Sequence, residues 1–324
     1  MKALVIGGAG YIGSHLVYEL IRDNHEVIIF DNLSTGNKNN VHSKAKFYLG
    51  DITNNEDLVS LLSKESNFDV VFHFAAKLIV SESMEKPLEY YYNNVEGVRT
   101  LLENMNKFKL NKIIFSSTAA VYGNPIKDIC EEEDLTNPIN PYGETKLICE
   151  KMIKWCSHVN NLKYGIFRYF NVAGGDKSLE IGYDYHNPNK THLIPIITEV
   201  ALGIREKLNV YGNDYDTRDG TCIRDYIHVT DLAKAHLLGA KHLLSGNDSF
   251  LLNLGSNNGY SVLEIIEATK KYAQINYEIS KRREGDPSIL IASNEKAKEV
   301  LNWRPELKLD DIIKTSIEYC KKIL

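Results

Sequence analysis

The sequence predicts an α/β protein in which a doubly wound parallel sheet is followed by a smaller C-terminal α/β domain. Three observations carry this expectation. Short, continuous apolar runs alternate with amphipathic stretches through the first half of the 324 residues. The first of those runs ends in a glycine cluster, "GGAGYIGSH". Beyond Asn171 the alternation gives way to a long polar stretch, "NVAGGDKSLEIGYDYHNPNKTH".

The elements follow in order. "ALVIGG" reads as a strand, and Ile12, Leu16 and Leu20 in "IGSHLVYELIRDN" share a helical face. "EVIIFDN" and "KFYLGD" are strands, "NEDLVSLLSKE" a helix, and "DVVFHFAA" a strand. "NNVEGVRTLLENMNKF" is a helix, "NKIIFSSTAAVYG" a strand with its exit loop, "YGETKLICEKMIKWC" a helix and "LKYGIFRYFNVAG" a strand. Apolar strands between amphipathic helices require a sheet covered on both faces, with right-handed crossovers. The polar stretch after Asn171 is long enough to serve a function. "IPIITEVALGIRE" then reads as a helix, and "RDYIHVTDLAKAHLLGAKHLL" as a strand leading into a helix. "FLLNLGS" is a strand, and "SVLEIIEATKKYAQ", "NEKAKEVLNW" and "LDDIIKTSIEYCKKIL" are helices. The expected division is a dinucleotide-binding domain over 1–171, with a returning segment at about 225–254, and a second domain over 172–324.

Composition narrows the function. The net charge of −5 argues against a nucleic-acid surface. Five cysteines (Cys130, Cys149, Cys156, Cys222 and Cys320) with no CxxC argue against a disulfide framework or a metal site. No run approaches the roughly 20 apolar residues of a membrane span, and the four apolar residues of "ALVI" are too few for a signal peptide. No membrane partner and a cytoplasmic location are expected.

Four features carry chemistry. The glycines read as Gly7-x-x-Gly10-x-x-Gly13 or Gly8-x-Gly10-x-x-Gly13, between a strand and a helix. That context suits a pyrophosphate at a helix N-terminus, although a purely structural turn uses the same residues. Asp31 ends the second strand, where a carboxylate takes the adenosine ribose hydroxyls and repels a 2′-phosphate, favouring NAD. An aspartate in "DN" is also a common turn residue. Asp51, ending the third strand, is placed for the adenine edge. Tyr142 and Lys146 share a helix face at i and i+4. A phenol titrates near about 10, and a neighbouring ammonium stabilises the phenolate that an alcohol oxidation needs. A core tyrosine beside a snorkelling lysine gives the same spacing. Ser116, Ser117 and Thr118 put hydroxyls at a strand end, suited either to a substrate oxygen or to capping.

Glycine turn, carboxylate, hydroxyl-rich strand end and YxxxK occur in that order, each on the expected element. In this the chain resembles the extended short-chain dehydrogenases/reductases, which have the Rossmann fold. Within them, "DNLSTG", "KPLEYYYNNV", "SSTAAVYG", "NPYGETK", "RYFNVAG", "RDGTCIRDYIHV" and "RREGDP" resemble the UDP-glucose 4-epimerase family, over Lys2 to Trp303.

The resemblance implies bound NAD and an isomerase that inverts C4 of UDP-glucose through a 4-keto sugar, in galactose metabolism. It places Gly7, Gly10, Tyr11, Ile12 and Gly13 on the pyrophosphate. Asp31, Asn32, Leu33, Ser34, Thr35 and Gly36 surround the ribose, and Asp51 and Ile52 meet adenine. Phe74, Ala75, Ala76, Lys77, Asn93, Ser116 and Phe170 line the cofactor; "AAKLIVSES" departs from the family pattern at Lys77 and beyond. Tyr142 becomes the acid/base, Lys146 its partner, and Thr118 the holder of the reacting hydroxyl. Asn171, His192, Leu193, Asn209, Val210, Tyr211, Arg224, Arg283 and Asp286 fall where the family binds the UDP-sugar. Leu290 stands where some relatives carry tyrosine, so a pocket that also admits UDP-N-acetylhexosamines is expected. Ala119 and Ala120 occupy the places where sugar-nucleotide dehydratases carry Asp-Glu. A 4-epimerase for a uronate or pentose, and a non-catalytic NAD-binding protein, remain as alternatives. Relatives pair the helix around 142–156, so a homodimer is expected.

Overall fold

The computed structural model describes residues 1–187, 190–283 and 287–324. The strands are β1 (Lys2–Ile6), β2 (Glu26–Asp31), β3 (Lys46–Leu49), β4 (Val70–His73), β5 (Lys112–Thr118), β6 (Ile129–Cys130) and β7 (Lys163–Tyr169). They continue as β8 (Asn171–Ala173), β9 (Leu208–Tyr211), β10 (Ile223–His228), β11 (Phe250–Leu254), β12 (Gly259–Ser261), β13 (Tyr277–Ser280) and β14 (Ile289–Ala292). The helices are α1 (Tyr11–Arg22), α2 (Asn55–Lys64), α3 (Val80–Glu85), α4 (Pro87–Tyr90), α5 (Gly97–Lys107) and α6 (Pro141–Asn160). The rest are α7 (Leu193–Ala201), α8 (Val229–Leu244), α9 (Val262–Thr269), α10 (Glu295–Leu301) and α11 (Leu309–Ile323). A π-helical turn, Tyr91–Glu96, joins α4 to α5.

The long apolar runs of the first half form a seven-stranded sheet of order β11-β7-β5-β4-β1-β2-β3. The pairs β1–β2, β2–β3, β1–β4 and β4–β5 are parallel. Period-2 alternation sorts their side chains. Leu4, Ile6, Ile28 and Phe30 join Leu58, Leu101, Met105 and Ile153 of α2, α5 and α6 in one core. Val5 and Ile29 point the other way, under the glycine turn. Phe167 does likewise, with His236 of α8 packed on it at 4.8 Å between ring centroids. After β3 the chain returns to the far side of β1 to form β4. The carboxyl ends of β1 and β4 therefore flank the topological switch point, where sheets of this kind bind ligands.

Contacts divide the chain into Met1–Gly123, Leu135–Arg168 and Ala233–Leu252 as one unit, and Asn124–Asp134, Tyr169–Leu232 and Asn253–Leu324 as another. The stretch 124–134 falls with the second unit because β6 pairs with β14 (Ile129↔Ile291, Cys130↔Ala292). Strand β10 falls there too, held by β8, β12 and β14, so the returning stretch joins the first unit only from Ala233. The second unit has its own core, including Ile194, Ile197, Val210, Tyr226, Ile265 and Ile313. Its strands are two to six residues long, too short for most of them to show in the sequence pattern. Helix α7 stops at Ala201, and Gly203, at φ +71°, turns the chain before the expected "GIRE" turn can form.

Candidate active site

The cofactor end is built on the β1–α1 turn. Gly7 N donates to Phe30 O at 2.9 Å, tying the turn to β2. Gly7 has φ +80°, and a Cβ there would lie 2.5 Å from Ala75 N. A Cβ on Gly13 would lie 2.2 Å from the Gly7 carbonyl oxygen. Gly10 caps α1 with no side-chain bond, and α1 has no acidic residue in its first turn. Ser14 N already donates to Gly10 O. The amides of Ile12 and Gly13 open the first turn at this positive helix end. This cradle fits a dinucleotide pyrophosphate.

Asp31 Oδ2 accepts from Ala9 N at 3.0 Å and Oδ1 from Leu33 N at 2.8 Å. The carboxylate thus braces the glycine turn from the end of β2 and keeps lone pairs for a ribose. Leu33 sits at φ +58°, a conformation rare for leucine, in the loop of Asn32, Ser34, Thr35 and Gly36. Asp51 Oδ1 accepts from Thr53 N and Oγ1, and Oδ2 from Asn32 Nδ2 at 2.9 Å. Burial pushes its carboxyl up, but these hydrogen bonds outweigh it and hold the carboxyl below its ordinary value. The Ile52 side chain is buried in the core, which leaves its backbone as the part that a ligand could meet. Phe74 N and Ala75 N both donate to Ile6 O at the end of β1, with Ala76 following. Lys77 Nζ pairs with Glu89 at 2.6 Å. Asn93 Nδ2 donates to the buried Asn94, whose side chain also bonds Lys77 N, Lys77 O and Thr145 Oγ1.

The reacting groups lie on α6 and at the end of β5. Asn140 caps α6 by accepting from Gly143 N at 2.9 Å, and Pro141 fits its first turn. Gly143 packs against the backbone that follows Thr118: a Cβ would be 2.5 Å from Ala120 O. This close approach sets Tyr142 beside the strand end. The Thr118 hydroxyl accepts from Ala120 N at 3.2 Å and lies close enough to the Tyr142 phenol to favour its ionised form. The neighbouring Ser117 turns inward to Glu150 instead. Lys146, 2% exposed, donates from Nζ to Ser116 O at 2.8 Å and lies 4.9 Å from the Phe115 ring. Burial pushes its ammonium down to about 8, against the opposing pull of Cys149 and Glu150. Burial also raises the Tyr142 phenol, and the nearby Thr118 hydroxyl offsets this only in part. A phenolate there requires added positive charge.

In the second unit, the Arg283 guanidinium stacks on the Tyr211 ring at 4.0 Å. Arg224 donates to Ile223 O at 2.7 Å and Pro287 O at 2.6 Å, which fixes its fork on β10. Leu290 of β14 is its register partner. His192 caps α7, which begins at Leu193. Val210 is fully buried in the core, Asn209 exposed, and Asn171 pairs with Tyr226. Phe170 N donates to Leu254 O at 3.4 Å. Asp286 lies outside the described residues.

Sequence reasoning passed over Asn94, and over the buried Glu150 and Arg168. The doubled asparagine in "YYYNNV" hides which amide faces inward, whereas Glu150, one turn beyond Lys146, was readable from spacing.

A dinucleotide turn, a ribose carboxylate and a Thr–Tyr–Lys set at a strand end define an extended short-chain dehydrogenase/reductase. The family model for GDP-mannose 4,6 dehydratase matches residues 4–316. A UDP-glucose 4-epimerase of Lactobacillus helveticus is 48% identical over 99% of this chain and 97% of its own. The crystal structure of UDP-glucose 4-epimerase from Brucella ovis in complex with NAD is 41% identical, with a TM-score of 0.94 and 98% coverage of both chains. That from Bifidobacterium longum in complex with NAD+ and UDP is 37% identical, with a TM-score of 0.92 over 99% of this chain and 98% of its own. The chain belongs to the UDP-glucose 4-epimerase family.

Proposed function

We propose that the chain interconverts UDP-glucose and UDP-galactose by inversion at C4, keeps NAD bound throughout turnover, and serves galactose metabolism. The observation that carries this is the close approach of α6 to the end of β5, with Gly143 against Ala120 O, which sets Tyr142 beside Thr118, and with Lys146 buried on the same helix and bonded to Ser116 O. When bound, NAD supplies the oxidant and reductant for C4, which passes through a ketone. Tyr142 takes the proton of the 4-hydroxyl and returns it to the inverted centre. Thr118 holds that oxygen. Lys146, anchored on Ser116 O, supplies positive charge for the phenolate. Ala119 and Ala120 follow Thr118 and have no side chain able to move a proton, so elimination finds no acid or base there.

The first unit takes NAD and the second the nucleotide of the UDP-sugar. Arg224 and Arg283 bind the diphosphate anion, as guanidinium forks do, and Tyr211 with its stacked arginine lies against uracil. Asn171, His192, Leu193, Asn209 and the Val210 backbone complete that side. The half-buried leucine at position 290, beside Arg224, makes room for an N-acetyl group, so UDP-N-acetylglucosamine and UDP-N-acetylgalactosamine are also substrates. The enzyme acts as a homodimer in the cytoplasm. Trp155 and Val159 on α6, 72% and 79% exposed, and the exposed Leu88 and Tyr92 support the dimer. No described helix is long and apolar enough to cross a membrane.

Incubating the purified protein with a panel of UDP-sugars, without added NAD, tests the reading. C4 epimers of the glucose and N-acetylglucosamine pairs are expected. Turnover of UDP-glucuronate or UDP-xylose alone would transfer the assignment to another 4-epimerase.

A further inference from the structure

Glu150 and Arg168 are 1% and 3% exposed, and the mechanism above uses neither. Arg168 grips Glu150 with two parallel bonds, Nη2 to Oε2 at 2.7 Å and Nε to Oε1 at 3.0 Å. Its Nη1 donates to the Tyr122 hydroxyl at 3.1 Å. The Ser117 hydroxyl donates to Glu150 Oε1 at 2.5 Å. Glu150 lies one turn beyond Lys146 on α6, and Ser117 directly precedes Thr118 on β5. Tyr122 ends the short 3₁₀ turn that Thr118 caps. One carboxylate thus joins the helix bearing Tyr142 and Lys146 to the strand end bearing Thr118, and both to β7.

A buried ion pair is a poor stabiliser in itself. Desolvating two charges offsets most of their attraction, and apolar residues of like volume often serve as well. Its location is therefore the informative fact. The groups that act on Lys146 are Cys149 and Glu150 on α6, His73 at the end of β4, and Phe115 and Ser116 O on β5, with Arg168 of β7 behind Glu150 and Tyr142 one turn earlier on α6. Burial, aided by Lys146, pushes His73 down to about 3, so it is neutral. Burial pushes the Cys149 thiol up to about 12, so it is neutral too. The charges left are Lys146, Glu150 and Arg168, a net single positive charge beside a phenol that must ionise.

We propose that Glu150 and Arg168, with Ser117, form a positioning pair that fixes Thr118 against Tyr142 and sets the charge Lys146 feels. The kinetic consequence rests on the C4-inversion reading; the titration of Lys146 does not. Glu150→Gln keeps the shape but leaves Arg168 as a second cation near Lys146, which then loses its proton more readily. Arg168→Met leaves Glu150 with Lys146 as its cation, which then holds its proton to higher pH.

The test is the titration of Lys146 in the NAD-bound protein by NMR with 15N-lysine, the resonance assigned by its loss in Lys146→Met. The midpoint is expected to fall by about one pH unit in Glu150→Gln and to rise by about one in Arg168→Met. The double variant should lie within about half a unit of the parent. The alkaline limb of kcat should follow the same directions with KM unchanged. Shifts in one common direction, or none in either variant, overturn the proposal. Should both charge variants fail to fold, Ser117→Ala decides, since it keeps both charges. It should lower kcat roughly tenfold with KM and bound NAD unchanged; an unchanged kcat overturns the proposal. A protein that titrates as expected but inverts no UDP-sugar refutes the functional reading alone.

Discussion

Two glycines of the β1–α1 turn, exchanged for alanine, should part company. A Cβ on Gly13 would lie 2.2 Å from Gly7 O, and 3.0 Å from both Gly7 C and Gly8 Cα. All three are backbone atoms, so no side chain can swing aside. Relief requires the first turn of α1 to retreat by about 1 Å, the shortfall from ordinary contact. Overpacking of this kind costs about 1–3 kcal/mol. On the proposed reading the same retreat draws the amides of Ile12 and Gly13 away from the pyrophosphate. Losing one charge-assisted hydrogen bond costs about 1.5–3 kcal/mol, roughly ten- to a hundredfold in NAD affinity. A Cβ on Gly10 meets only Gly7 O, at 3.3 Å. Gly10→Ala should therefore cost about 1 kcal/mol of stability or less, yet still obstruct the pyrophosphate. Calorimetric Tm and the NAD released per chain on denaturation measure both effects. Gly13→Ala should lose Tm and NAD, and Gly10→Ala mainly NAD. A Gly13→Ala protein with the parent's Tm and full NAD would refute the reasoning.

Three further outcomes follow from the site and the fold. Tyr142→Phe should lower kcat by roughly 10²–10⁴-fold, the contribution of a general base, with the NAD content of the purified protein unchanged; substantial residual turnover sinks Tyr142 as the base. Leu290→Tyr should cut turnover of the N-acetylhexosamine pair roughly tenfold or more while sparing the glucose pair, read from product ratios in mixed-substrate assays. Glu65 accepts from Lys2, Lys46 and Tyr48, which hold its carboxyl down at about 2, below the 4.5 of an unfolded chain. Its contribution is complete above that unfolded value and is lost as pH falls towards 2, so Glu65→Gln should lower Tm at neutral pH and leave it unchanged near pH 2.

The parallel sheet was legible because its strands are apolar on both faces, and because β1 runs into Gly7 and β2 ends in Asp31, residue types that break an apolar run. The spacing of Tyr142 and Lys146 needed no tertiary information. The second unit was less legible. β6, β8, β12 and β14 are two to four residues long, below the length at which alternation shows, and only their pairing assigns 124–134 and β10. The inward set of Ser117, Glu150 and Arg168 comes from three elements distant in sequence, and polar residues read locally as exposed. The division of labour between Ser117 and Thr118 is likewise tertiary: alternation along β5 sends one hydroxyl inward to Glu150 and leaves the other for Tyr142.

The most direct measurement of C4 inversion with a retained cofactor uses UDP-galactose deuterated at C4, the purified protein and no added NAD. The account predicts UDP-glucose that keeps the deuterium at C4, seen by mass spectrometry, because the same bound group removes and returns it. Loss of the label to solvent, or no product unless NAD is supplied, would contradict it.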